Sequence, residues 1–263
     1  MRSWPRHTVL VFAALCLAAP AHSAEGIGKA AAIATTVMGA VDGGAETPIS
    51  KGDPVFQDQA IQTDAAGVAQ IEFLDRTKLA IGPGSTMTLD TFVFNPDKTA
   101  DKVVIELGKG TFRFIAGKSP HTAYEISTPA ATLGLRGTAF DVAIAENGTI
   151  ALAMLDGEIE ACSRISGACQ VHNLVGKFLR VTPNGLFSLH DRWDDTIMDG
   201  VEFAVALPFT ANQNILRPAF KTTRRVASLY VNTAADAAGK AVEAPAKAVK
   251  PVGNFLRQLN PFR

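Results

Sequence analysis

The middle of the chain alternates hydrophobic and polar residues with a period of two. Between residues 68 and 75, Ala69, Ile71 and Phe73 fall on one side of an extended chain. Gln70 and Glu72 fall on the other side. This pattern predicts half-buried β-strands, because successive side chains of a strand point to opposite faces.

The alternation continues toward residue 189 and is interrupted by turn sequences such as Asn95–Lys98 and Pro183–Gly185. Glycine-containing stretches with a faint resemblance to one another recur at 107–112, 133–140 and 155–159. Short strands punctuated by glycine predict an all-β body, stacked as a β-solenoid or a sandwich. Residues 24–34 are rich in alanine and glycine, so we expect ordered structure to begin near Thr35–Met38.

The N-terminus has the anatomy of a secretory signal peptide. Arg2 and Arg6 precede an apolar run from Thr8 to Ala19, and small residues follow up to Ala24. An apolar run this short is typical of a cleaved signal rather than a spanning helix, which needs about 20 residues. We therefore expect cleavage after Ala21, Ser23 or Ala24 and a periplasmic or secreted protein, with an uncleaved anchor as the alternative.

Charge divides the chain into an acidic body and a basic tail. Residues 25–210 hold 23 acidic and 14 basic side chains, a net charge of −9, whereas residues 211–263 hold 9 basic and 2 acidic ones, a net charge of +7. Nucleic acid is therefore not expected as a ligand of the body. The tail is alanine-rich and interrupted by Pro245 and Pro251. It could dock on an anionic membrane surface or a partner as a weak helix, or stay disordered.

Two cysteines follow the signal segment, Cys162 and Cys169, with six residues between them. In an oxidising compartment this spacing predicts a disulfide that closes the mouth of a hairpin and contributes about 2.5 kcal/mol. A metal site that adds His172 is the alternative, but three ligands with no fourth nearby suit zinc poorly. We predict the disulfide and no metal.

Residues 190–199 are acidic, with Asp191, Asp194, Asp195 and Asp199. Their spacing is not that of a helix–loop–helix calcium site. A solvated linker is the preferred interpretation, and a calcium loop is the alternative.

The segment Tyr124–Val142 contains a predicted corner between two strands. Pro129 lacks a backbone donor and pushes Thr128 into an extended conformation, and glycine adopts a positive φ without steric cost. The corner residues are Thr128, Pro129, Gly134, Arg136, Gly137 and Thr138. We predict that Arg136 turns inward and pairs with Asp75 or Asp141, because a guanidinium can tie two strands together. The alternative is an exposed Arg136 that contacts an acidic partner.

Enzyme signatures are missing from the sequence. His121, His172 and His190 lie in different local settings, and Ser85 lacks the second glycine of a nucleophile elbow. Neither a phosphate-binding loop nor a dinucleotide fingerprint occurs. We predict a non-catalytic protein without a cofactor.

Several motifs together resemble the FecR domain family, over about Val55 to Val181. They are Ile61-Gln62-Thr63, Ala69–Asp75 with Lys78–Pro83, Leu107–Arg113, Thr128-Pro129-Ala130 with Gly134–Val142, and Leu155–Ile159. The most specific part is Arg136-Gly137-Thr138-Ala139-Phe140 after Thr128-Pro129. The resemblance implies an extracytoplasmic all-β module that senses or relays a signal by protein contact.

Well-known FecR proteins are anti-sigma regulators with a cytoplasmic domain, one membrane helix and a periplasmic domain that meets an outer-membrane receptor. Here only the signal segment precedes the domain, so a direct anti-sigma activity is not expected. We divide the chain into a signal peptide (1–24), a lead-in (25–54), a FecR-like domain (55–190), and a linker with a basic tail (191–263). The predicted function is a periplasmic protein-interaction or signalling module whose partner is an envelope protein, such as an outer-membrane receptor or a regulator. The alternative is a binder of glycan or anionic membrane surface that acts through the tail.

Overall fold

A computed structural model describes residues 25–212, and these residues are built almost entirely of β-strands, which confirms the predicted all-β class. The predicted signal peptide and the tail beyond residue 212 lie outside the described residues. The strands are β1 Gly26–Ala34, β2 Val37–Val41, β3 Thr47–Pro48, β4 Pro54–Phe56, β5 Gln59–Thr63, β6 Val68–Phe73, β7 Lys78–Ile81, β8 Thr86–Phe94, β9 Ala100–Ile115, β10 Tyr124–Ser127, β11 Ala131–Ile144, β12 Ile150–Ser163, β13 Cys169–His172, β14 Phe178–Val181 and β15 Phe187–His190. A 3-10 helix His121–Ala123 and two short helices, α1 Phe203–Ala206 and α2 Pro208–Ala211, complete the described chain.

All strands belong to one hydrogen-bonded sheet that folds into two layers, called sheet I and sheet II below. Three long strands run through both layers. Strands β9, β11 and β12 have 16, 14 and 14 residues, so the body is not made only of short strands. Sheet I runs in the order β3, β2, β5, β8, β9, β10, β11, β12, β13. Sheet II runs in the order β4, β1, β6, β7, β9, β11, β12, β14, β15. Each long strand gives one half to sheet I and the other half to sheet II.

Glycines mark the places where the long strands pass from one sheet to the other. Gly110 in β9, Gly137 in β11 and Gly157 in β12 have φ of 103°, 63° and 80°. Pairing between β11 and β12 shifts register between Arg136 and Ala139, which is the signature of a β-bulge. The three glycine stretches that resemble one another in sequence are therefore bends inside long strands, not corners between short ones.

The two sheets enclose one continuous hydrophobic core. Met87 and Leu89 contribute from sheet I, and Leu79 and Val142 contribute from sheet II. Phe112, Phe114 and Phe140 are almost completely buried within it. The sandwich interpretation of the sequence thus describes the core better than the solenoid interpretation.

The acidic composition predicted a solvated linker after residue 190, but residues 191–212 pack against the sheet instead. Trp193, Phe203 and Leu207 are buried in a second hydrophobic cluster on the outer face of sheet II. Small side chains at Ala143 and Ala151 make room for them on that face. The aspartates that dominate the composition of 190–199 are exposed, and the apolar residues between them face the sheet.

The predicted lead-in 25–54 is also part of the fold. Strand β1 pairs with β6 on one side and β4 on the other, so order begins before Thr35. The alanine and glycine content reflects close packing rather than flexibility. A Cβ on Gly28 would lie 2.6 Å from the Glu72 carbonyl oxygen. In residues 25–212, no helix has the length and hydropathy needed to cross a membrane.

Candidate functional site

A shallow trough crosses the outer face of sheet I. Its floor is a row of laterally paired residues on five neighbouring strands, Ala40, Ala60, Thr88, Glu106 and Ser127. Sequence neighbours of this row, such as Ile61 and Leu107, point into the core. The same alternation that builds the core therefore leaves a strip of small and polar side chains on the outside.

The trough is open to solvent and has a volume of about 450 Å³. Glu46 and Glu106 give it negative charge, and Arg164 lies at the end next to Ser127. Arg164 Nη1 donates to Ser127 Oγ at 2.9 Å and to the Thr128 carbonyl at 3.4 Å. An open trough lined by charges of both signs is suited to a polypeptide segment rather than to a buried small molecule.

Thr128 and Pro129 form the predicted turn and lie at the wall of this trough. The Thr128 amide donates to the Ala131 carbonyl at 3.0 Å, and the Ala131 amide donates to Thr128 Oγ1 at 3.1 Å. These bonds close the hairpin between β10 and β11. The turn thus has a structural role and also shapes one wall of the trough.

The other predicted corner residues lie inside strand β11 rather than at a turn. Gly134 is paired with both Glu125 and Glu160, so it sits in the middle of sheet I. Gly137 is the bulge at the bend of β11, and a Cβ on Gly157 would meet its carbonyl oxygen at 2.2 Å. Thr138 is buried beside this contact. These residues determine how two long strands cross between the sheets.

The prediction that Arg136 turns inward is wrong. Its side chain is 69% exposed, and its nearest carboxylate is Glu158 at 3.6 Å. Asp141, one of the expected partners, is bound instead by Arg113. Arg136 points outward because it occupies a position on β11 between the core-facing Leu135 and the bulge. The alternative, an exposed arginine available to a partner, fits this geometry.

The buried ion pair of the fold is Arg113 with Asp141. Arg113 Nε and Nη2 donate to the two carboxylate oxygens at 2.5 and 2.7 Å, and both side chains are at most 4% exposed. Thr210 of α2 bonds both partners, and the Arg113 guanidinium lies 5.9 Å from the centre of the Phe209 ring. A charged residue between two phenylalanines of β9 was the sequence signal for this pair, because such a residue must point away from the core.

Asp75, the other expected partner of Arg136, is held by neutral donors. Its Oδ2 accepts from Tyr124 Oη at 2.5 Å, Ser119 Oγ at 2.7 Å and Thr77 Oγ1 at 2.8 Å. Burial, together with the hydrogen bond to Asp75, raises the pKa of Tyr124. This network fixes the turn between β6 and β7 against β10.

Cys162 and Cys169 form a disulfide between β12 and β13. Cys169 is exposed, whereas His172 is almost completely buried, three positions later on the same strand. Side chains three positions apart on a strand point to opposite faces. The alternative site of two cysteines and His172 therefore does not assemble.

Ser188, His190 and Asp194 form a chain of side-chain hydrogen bonds that the sequence did not suggest. Ser188 Oγ lies 2.9 Å from His190 Nε2, and His190 Nδ1 lies 3.2 Å from Asp194 Oδ2. This order matches that of a hydrolase triad. However, the Asp194 carboxylate is 48% exposed and the serine sits on an exposed edge strand, so solvent screens the interactions that would activate a nucleophile.

Comparison with known proteins confirms the resemblance to FecR. The family model described as FecR protein matches residues 59–160, which include four of the five floor residues of the trough. The similarity to the FecR family is therefore located in residues 59–160. No curated protein matches the chain.

Two crystal structures of a proposed anti-sigma factor from Parabacteroides distasonis ATCC 8503, at 2.50 and 1.65 Å, are similar to the chain at a low level. Each has 18% sequence identity and a TM-score of 0.39, and the match covers 49% of this chain. The chain spans 58% of the length of those proteins.

Proposed function

We propose that the protein is a non-catalytic, periplasmic FecR-type module that binds another protein of the cell envelope. The trough on sheet I carries this proposal. Four of its five floor residues lie in the stretch that matches the FecR family model, and it offers a floor of small and polar side chains on five strands to an extended segment or loop. The expected partner is an outer-membrane receptor or a regulator.

The periplasmic location is supported by two observations. The first 24 residues have the composition of a secretory signal, and the disulfide between Cys162 and Cys169 belongs in an oxidising compartment. Cell fractionation with a C-terminal tag tests this location, and recovery in the cytoplasm would contradict it.

A matched pair of substitutions tests the trough. Ala60 lies on its floor, whereas Ala65 is also exposed but lies in the turn after β5. Ala60→Trp should fill the trough, and crosslinking pull-down from the cell envelope should then lose the stoichiometric partner that the wild type and Ala65→Trp recover. Equal recovery with Ala60→Trp would remove the trough as the binding surface.

The second candidate function is binding of an anionic envelope surface by the basic tail. The net charge of +7 on residues 211–263 favours it. Sedimentation with vesicles that contain phosphatidylglycerol should then decrease as salt is raised, and removal of residues 213–263 should abolish it. Pull-down of membrane or wall material alone, without a protein partner, would favour this function over the first.

A further inference from the structure

The four strand edges of the described fold are protected very unequally. On one side of the molecule, edge strands β3 and β4 are two and three residues long and contain Pro48 and Pro54. Proline and short length are the usual means of preventing an edge from pairing with another chain. On the other side, β13 and β15 have four residues each and contain neither proline nor lysine.

Exposed apolar side chains are concentrated at the unprotected side. Of the nine large hydrophobic residues that are exposed within residues 25–212, six lie between residues 165 and 189. Leu186 and Leu189, in and beside β15, are 67% and 50% exposed. Such a concentration of exposed apolar area is typical of an interface.

The turn before β15 determines which backbone groups are free. The Gly185 amide donates to the Thr182 carbonyl, and the Thr182 amide donates to the Leu186 carbonyl. Hydrogen-bonded and non-hydrogen-bonded pairs alternate along an antiparallel ladder. Ser188 and His190 therefore bond β14, whereas the N–H and C=O groups of Phe187 and Leu189 point to the open edge.

The hydrophobic core is incompletely covered at the same edge. Phe187 packs against the main core, and Leu189 lies on the same face, opposite the buried Leu179. Leu189 nevertheless remains half exposed. One further strand beside β15, with an apolar residue facing the core, would cover it.

We propose that this strand is β15 of a second copy of the protein, paired antiparallel about a two-fold axis at Ser188. In this register Phe187 of each copy pairs with the partner's Leu189. The four free backbone groups of each copy then form four hydrogen bonds across the axis. Each Leu189 is covered by the aromatic ring of the other copy, a pairing of the kind that stabilises sheets.

The charges near β15 are compatible with this register. Asp191 falls opposite the partner's Gly185, and Arg192 falls opposite the partner's Asn184. Asp191 is already paired with Lys177 at 2.6 Å within its own copy. No like charges face each other, and the same surface serves both copies, as a two-fold interface requires.

Disulfide trapping tests the register. Ser188 would face its own copy across a non-hydrogen-bonded pair, where Cα atoms lie about 4.5 Å apart, within the range of a disulfide. Ser188→Cys in the full chain should therefore give a covalent dimer on mild oxidation. Val93→Cys, at an exposed position on β8, should not.

Light scattering after size exclusion tests the surface without a new cysteine. The wild type should show twice the chain mass, Leu189→Lys should show the single chain mass, and Val93→Lys should keep the dimer. Leu189 is half exposed in the single copy, so its replacement should not unfold the protein, and circular dichroism checks this. A wild type that is monomeric over a hundredfold concentration range overturns the proposal, as does a dimer that Leu189→Lys leaves intact. A full chain that is monomeric and becomes dimeric only without residues 213–263 also overturns it, because the tail would then occupy the edge.

Discussion

Gly157 lies at the crossing of β11 and β12, where there is no room for a side chain. Its φ is 80°, and a Cβ there would lie 2.2 Å from the Gly137 carbonyl oxygen. We expect Gly157→Ala to lower the free energy of unfolding by about 3 kcal/mol or more, from combined backbone strain and overpacking. Urea denaturation measures this.

Gly43 provides the matched control for Gly157. Its φ is 67°, yet a Cβ there would meet no atom within 4 Å. Gly43→Ala should therefore cost only the backbone strain, about 1 to 2 kcal/mol. Equal losses in the two variants would show that the strand crossing is not tightly packed.

His172 should make the stability of the protein depend on pH. The side chain is almost completely buried, its Nε2 has no partner among the described residues, and burial lowers its pKa to about 4. In the unfolded chain His172 has a pKa of about 6.5, so between pH 6.5 and 4 it binds a proton that it does not bind in the folded protein. The folded protein therefore loses stability as pH falls from 6.5 toward 4.

At pH 4.5 the loss from His172 should be about 2.5 kcal/mol relative to neutral pH. Other groups also titrate in this range, so the measured quantity is the difference between the wild type and His172→Gln. Urea denaturation at pH 7 and pH 4.5 should show a smaller drop for the variant. Equal drops would mean that His172 is accessible to protons in the folded state.

Arginine placement shows what the sequence could predict at the scale of single residues. Arg136 was singled out because it stands between glycines, but a bulge leaves it on the surface. Arg113 stands between two phenylalanines that face the core, so alternation alone directs it to the opposite face. That face is buried only because residues 191–212 cover it. The sequence of β9 itself contains no signal for this covering segment.

At the scale of elements, the buried pair Arg113–Asp141 fastens α2 to sheet II. Removing one partner of a buried pair leaves an uncompensated charge and costs about 3 to 5 kcal/mol. Asp141→Ala should lower the melting temperature strongly and release the segment that contains Thr210. Trp193 fluorescence reports this release, because the tryptophan packs edge-to-face on Phe178 under that segment.

The bridge between Lys109 and Glu146 is the matched control. Its N–O distance is also 2.5 Å, but its side chains are 43% and 84% exposed. Glu146→Ala should leave the melting temperature almost unchanged, because solvent screens exposed pairs. A large loss from Glu146→Ala, or none from Asp141→Ala, would contradict the role assigned to burial.

Element boundaries were predictable where the alternation was regular and not where tertiary packing decides. Strands β6, β7 and β8 follow the pattern of Ala69, Ile71 and Phe73 and its continuation. Strand β1 has small residues that alternate weakly, and its order depends on pairing with β6 and β4. The glycine bends of β9, β11 and β12 look like turns in sequence, since positive φ is needed in both settings.

At the scale of the whole molecule, the all-β class and the FecR resemblance followed from the sequence, but the trough did not. Its floor joins residues as distant as Ala40 and Ser127, through four separate strand pairings. Side-chain alternation shows that each residue faces outward. The order of strands in the sheet, which places them in one row, is a long-range property of the fold.

The same connectivity predicts how the protein unfolds. Strands β9, β11 and β12 run through both sheets, and one core fills the space between them, so neither sheet can unfold alone. With the Arg113 pair intact, residues 191–212 should unfold with the sheets. In the protein without residues 1–24, which leaves Trp193 as the single tryptophan, fluorescence and far-ultraviolet circular dichroism should give coincident transitions in urea. A fluorescence transition at lower urea would show that the segment bearing Trp193 is a separate unit, and the stabilising role of the buried pair would then be confined to that segment.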